Sequence, residues 1–87
     1  MTDEQKKRIE THLRILERRS KRFEEKEAEA EREGDAERAA KCRLKSECAD
    51  YEWIGIDDCL KILGYTIIYP TDALGFKDWD NPTVVKM

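Results

Sequence analysis

Glu31-Arg32-Glu33-Gly34-Asp35-Ala36-Glu37 decides the fold. Gly34 is the first glycine of the chain, and no proline precedes it. Glycine after a long helix-forming run fits the left-handed position just past a helix end. Asp35 is suited to cap the next helix at once. The spacing predicts one helix over about 3–33 and a second over about 36–63, joined by a turn so short that they are antiparallel neighbours.

Outward from the turn, the charges come in blocks. Residues 6–22 carry eight bases against Glu10 and Glu17, net +6, and residues 23–37 carry eight acids against Lys26 and Arg32, net −6. Residues 38–46 are net +4 with no acid, and residues 47–58 are net −5 with no base. Folded back at Gly34-Asp35, each block faces one of opposite sign. The blocks therefore read as the code that closes the hairpin, since a parallel pairing would set like charges together. Paired residue numbers then add to about 68–69, which puts Phe23 near Lys45 and Leu44, and Ile9 near Cys59.

The first helix opens on Thr2 with Gln5 three residues on, a capping box. Its seam recurs at Ile9, Leu13, Leu16, Ser20, Phe23, Glu27 and Ala30, spaced four and three. In the second helix the stripe taken as its partner is Ala40, Leu44, Cys48, Tyr51, Gly55, Cys59 and Ile62. Gly64 closes that helix, and the period then changes. Tyr65-Thr66-Ile67-Ile68-Tyr69 is β-branched and aromatic, hence a strand over 65–69. Pro70 ends it, residues 70–82 read as a loop, and a second strand covers about 83–86. The fold class is mainly α with a β addition: a single domain over 1–87, an antiparallel helical hairpin followed by a short two-stranded antiparallel ribbon.

Composition sets bounds on function. The chain has 87 residues, 43% of them charged, with net charge −3. That balance argues for no nucleic-acid or membrane partner by itself. A core of this size gives few kcal/mol, so a homodimer is expected. No stretch has the ~18 apolar residues of a membrane span. The first residues lack the apolar core of a signal peptide. Three cysteines without a C-x-x-C spacing suit free thiols in the cytoplasm.

Four groups of residues compete as sites. Arg18, Arg19, Lys21 and Arg22 form a basic run that would suit phosphates of a nucleic acid or a sequestered nucleotide. Its competing explanation is a solvated face paired with acids, Glu17 to Lys21 among them. Cys42, Cys48, Cys59 and His12 do not converge as a metal or nucleophile set, because Cys48 and Cys59 are about three turns apart. They read as small buried hydrophobes and a seam histidine. Asp72, Asp78 and Asp80 lack the spacing of a calcium loop and read as Asx turns. No catalytic residue, metal or cofactor is assigned.

The aromatics carry the functional expectation. Trp53 lies off the expected stripe of the second helix, Phe76 and Trp79 sit in the loop, and Ile15 falls outside the first helix's seam. One partner helix covers one stripe of a cylinder, not the rest. Either the ribbon with its loop packs over the remainder or a partner surface does, a second copy or another protein. On the partner reading Phe76, Trp79, Trp53 and Ile15 are the expected contacts.

The opening Thr2-Asp3-Glu4-Gln5-Lys6-Lys7-Arg8-Ile9, the Gly34-Asp35 turn, and Leu60-Lys61-Ile62-Leu63-Gly64-Tyr65-Thr66 leading to Asn81-Pro82-Thr83 carry a resemblance of style. The chain resembles short accessory proteins of phages and integrative elements in anaerobic gut-type bacteria. In size, acidity and motif content it is similar to small inhibitors of host defence such as anti-CRISPR proteins. The resemblance implies a non-enzymatic protein that binds a host defence or regulatory protein. It carries no site residues.

Overall fold

Thr2 accepts a hydrogen bond from the Gln5 amide while Gln5 reaches back to the Thr2 amide, and this capping box starts the first helix, α1 (Asp3–Arg32). In the computed structural model, which describes residues 1–87, Gly34 turns the chain at φ +75°. Asp35 accepts from the Arg38 amide and starts α2 (Ala36–Ile62). Gly64, at φ +87°, releases the chain into β1 (Tyr65–Ile68), which pairs antiparallel with β2 (Thr83–Lys86) from Tyr65↔Lys86 to Ile68↔Thr83. The element order and the hairpin-plus-ribbon architecture are those expected from the sequence. Tyr69 alone leaves the predicted strand.

Along α1 the seam is the expected one: Leu13, Leu16, Ser20 and Ala30 are buried, and Ile9, Phe23 and Glu27 half-buried. Along α2 the expected stripe is on the wrong side. Apart from Asp57, the buried or half-buried positions are Ala39, Cys42, Ser46, Ala49, Trp53, Ile56 and Leu60, spaced three and four, whereas Ala40, Leu44, Cys48, Tyr51, Gly55, Cys59 and Ile62 are all exposed. The reason is that α2 has two apolar stripes roughly opposite each other at 3.6 residues per turn. The true seam is built near the tip from Ala39, Ser46 and Ala49, which signal weakly, so the bulkier outer stripe dominated the pattern. The correction extends to Cys48 and Cys59, which are exposed rather than small core residues, and to His12, which is exposed rather than a seam residue.

At mid-seam the packing is polar. Ser20 and Ser46 are buried, their hydroxyls 3.1 Å apart, and Ser20 donates to Asp50 at 2.7 Å. Toward the open end Leu13, Leu60 and Val84 form the core, with Ile9, Trp53, Ile56, Tyr65 and Ile67 packed around it. The ribbon is thus held by the end of the hairpin opposite the turn. The N-terminal amine reaches the Tyr65 hydroxyl at 3.3 Å, and Lys6 lies over the Tyr65 ring.

Charge closes only half of the hairpin. Near the tip Arg43 pairs with Glu27 at 2.8 Å and Glu31 at 3.5 Å, and Arg38 pairs with Glu33 across the turn. Toward the open end no ion pair joins residues 6–22 to residues 47–58, and Glu17 does not pair with Lys21. Arg14 and Arg18 turn to the C-terminal loop instead, because Asp80 is brought beside them by β2. The molecule is elongated, with a radius of gyration of 15.3 Å against about 12 Å for a compact chain of this length. No helix is long and apolar enough to cross a membrane.

Candidate functional site in the aromatic loop

The loop between the strands is held by its own backbone. Asp72 accepts from the amides of Leu74 and Phe76 at 2.9 and 3.0 Å, an Asx turn, and its amide donates to the Phe76 carbonyl. Gly75 takes φ +86° at the turn, a conformation that costs glycine nothing. Thr71 bridges Lys77, and the Asp78 amide donates to the Pro70 carbonyl at 2.7 Å. Asp78 then accepts from the Asp80 amide and from the Asn81 side chain. Asp72 and Asp78 are therefore turn-makers, as their positions in the sequence suggested. No three His, Cys, Asp or Glu side chains come together as a metal site.

The loop is also fastened to the helices. Arg14 donates to the Asp80 carbonyl at 2.7 Å, and Arg18 reaches the Asp80 carboxylate at 3.4 Å. Trp79 packs on Tyr69 with ring centroids 4.8 Å apart, and Tyr69 stacks on Trp53 at 6.5 Å. The Trp53 indole donates to the Tyr69 hydroxyl at 2.7 Å, and that hydroxyl lies 3.4 Å from Glu17. Burial is the main cause that pushes the Tyr69 hydroxyl up to about 12, offset by the Trp53 hydrogen bond and reinforced by the charge of Glu17. Glu17 is likewise raised, first by burial, against the lowering effect of the Tyr69 hydrogen bond, and further by Asp50, Glu24 and Asp80.

Such ordering leaves apolar side chains outside. Leu74 is 83% exposed, Phe76 71% and Trp79 51%. Of the four expected contact residues, the fold gathers Phe76 and Trp79 on the loop and sets Trp53 behind them as the base of the stack. Ile15 is exposed on the outer side of α1 and takes no part in the stack. Leu74 and Tyr69 were missed. A bare leucine before the turn glycine was a readable signal for the first. Tyr69 was read as the end of a strand, and only the bend at Pro70 makes it the hinge of the stack.

The basic run is divided. Arg18 serves the loop, whereas Arg19, Lys21 and Arg22 have no carboxylate within 4.0 Å. Arg22, Lys26 and Lys45 surround the Phe23 ring at 5.3–5.5 Å. Comparison with protein families, curated proteins and solved structures gives no match.

Proposed function

We propose that the chain is a non-enzymatic protein-binding module whose recognition element is the 70–82 loop. One observation carries the reading: an ordered, doubly fastened loop that presents Leu74, Phe76 and Trp79 to solvent. Ordering a loop before contact lowers the entropy cost of binding, and exposed aromatic side chains are the usual anchors of protein interfaces. In the phage or mobile-element setting that the resemblance implies, the partner is a host defence or regulatory protein. Affinity capture from the native host, read by mass spectrometry, tests this with wild type beside Phe76→Ala/Trp79→Ala. A protein retained by wild type and lost with the double variant is the expected result. Identical retention by both overturns the assignment.

A second reading, binding of an anionic polymer such as RNA or DNA along α1, has a specific observation behind it. The two acids of residues 6–22 both turn toward the ribbon and loop, Glu10 to the Val84 amide and Glu17 to Tyr69. The outer face is left basic at Arg19 and Arg22, whereas Lys21 lies on the loop side beside Glu17 and Asp50. This reading predicts a complex that weakens steeply with salt. No retardation of RNA or DNA at low salt removes it.

A further inference from the structure

The outer stripe of α2 has no intramolecular purpose. Leu44 is 62% exposed, Tyr51 71% and Ile62 83%, and Cys48 and Cys59 lie between them on the same face. At its centre stands Gly55, inside a helix, where glycine costs about 1 kcal/mol relative to alanine. A Cβ placed there would meet nothing within 4 Å. Neither a turn nor close packing within this chain accounts for glycine at this position.

The stripe also matches itself when reversed. Leu44 with Ile62 and Tyr51 with Gly55 each add to 106, and Cys48 with Cys59 adds to 107. An antiparallel pair of such helices sets large against small where Tyr51 lies over the partner's Gly55, and brings Leu44 against the partner's Ile62, apolar on apolar. Small residues let the axes approach to the roughly 8 Å lower limit of helix packing.

The surface balance asks for such a contact. The chain exposes 6347 Å², roughly 1,000 Å² more than the ~5,400 Å² of a compact monomer of its mass. A standard interface takes about 800 Å² from each partner. Only Leu13 and Leu16 are fully buried large side chains, so the single chain has little core of its own.

We propose that the outer stripe of α2 is a homodimer seam, packed antiparallel on the same stripe of a second copy about a two-fold axis near residue 53. The inference is independent of the loop reading, since Phe76 and Trp79 lie outside the stripe. It sets Cys48 opposite the partner's Cys59, twice in each dimer. It also sets Glu47 close to the partner's Asp58, so added salt tightens the dimer by screening two acidic pairs.

Sedimentation of the full chain at tens of micromolar, with mild copper-catalysed air oxidation of a parallel sample, tests the seam. The expected mass is twice 10.3 kDa. The expected crosslink is Cys48–Cys59, found by peptide mass mapping. Leu44→Glu/Ile62→Glu, both at exposed positions, is expected to keep its helical circular dichroism and sediment as a monomer. A monomeric wild type overturns the proposal. So does a dimer that survives the double substitution, one that crosslinks only Cys48 to Cys48, or one that salt loosens.

Discussion

Tyr69→Phe removes one oxygen from the joint between helix, ribbon and loop. The rings keep their places, because the stacking distances of 6.5 and 4.8 Å to Trp53 and Trp79 do not involve the hydroxyl. What is lost is the acceptor for the Trp53 indole at 2.7 Å and a long contact to Glu17 at 3.4 Å. A net hydrogen bond is worth about 0.5–1.5 kcal/mol, and a donor left unpaired in a buried site costs about 1–3 kcal/mol. Trp53 is half-buried, so the expected loss is near the overlap of those ranges, about 1.5 kcal/mol. For a domain of this size that lowers Tm by roughly 6–12 °C. Urea denaturation followed by tryptophan fluorescence reads both the loss and the changed environment of Trp53. The hydroxyl is neutral until about pH 10, and folded chains hold its proton up to about 12. Its stabilising effect is therefore constant through neutral pH and is lost as pH rises through that upper window. A Tyr69→Phe protein within 0.3 kcal/mol of wild type, with unchanged emission, would refute the joint as the anchor of the loop.

Three further substitutions probe separate parts of the structure. Leu13→Ala empties the centre of a very small core and is expected to cost about 2–5 kcal/mol, enough to unfold much of the population at 25 °C by circular dichroism; a loss under 1 kcal/mol contradicts the core assignment. Gly34→Ala puts a Cβ on a φ of +75° in open space, so the cost is backbone alone, about 1 kcal/mol in denaturant, and no loss would mean that the turn is not left-handed. Glu17→Gln removes a carboxylate whose pKa folding raises above its usual 4.5, so wild type loses stability as pH rises through that region. The variant should melt higher than wild type at pH 7 and converge on it as pH falls below the usual carboxylate range; a lower Tm at pH 7 contradicts the burial argument.

The difference between α1 and α2 shows what a sequence displays. Ile9, Leu13, Leu16 and Phe23 are large and one-sided, so the seam of α1 was legible. In α2 the true seam runs through Ala39, Ser46 and Ala49, while Leu44, Tyr51 and Ile62 signal more strongly from the opposite side. Periodicity finds a stripe and does not say what covers it. The charge blocks were legible at the tip, where helix faces helix and Arg43 meets Glu27. They misled at the open end, because Arg14 and Arg18 find Asp80 more than sixty residues away, which only the ribbon's return can supply. The loop's turn-makers followed from Asp, Gly and Pro chemistry. The stack of Trp53, Tyr69 and Trp79 needed three segments in register.

The two-faced character of α2 is tested most directly by its cysteines. Cys42 sits in the inner seam, while Cys48 and Cys59 sit on the outer stripe. Thiol labelling of the native chain, resolved by peptide and repeated across a thousandfold range of concentration, separates the two faces. The account predicts that Cys42 labels slowly at every concentration. It predicts that Cys48 and Cys59 label fast in dilute solution and slow together as concentration rises. Fast labelling of Cys42, or protection of Cys48 and Cys59 that does not depend on concentration, would contradict it.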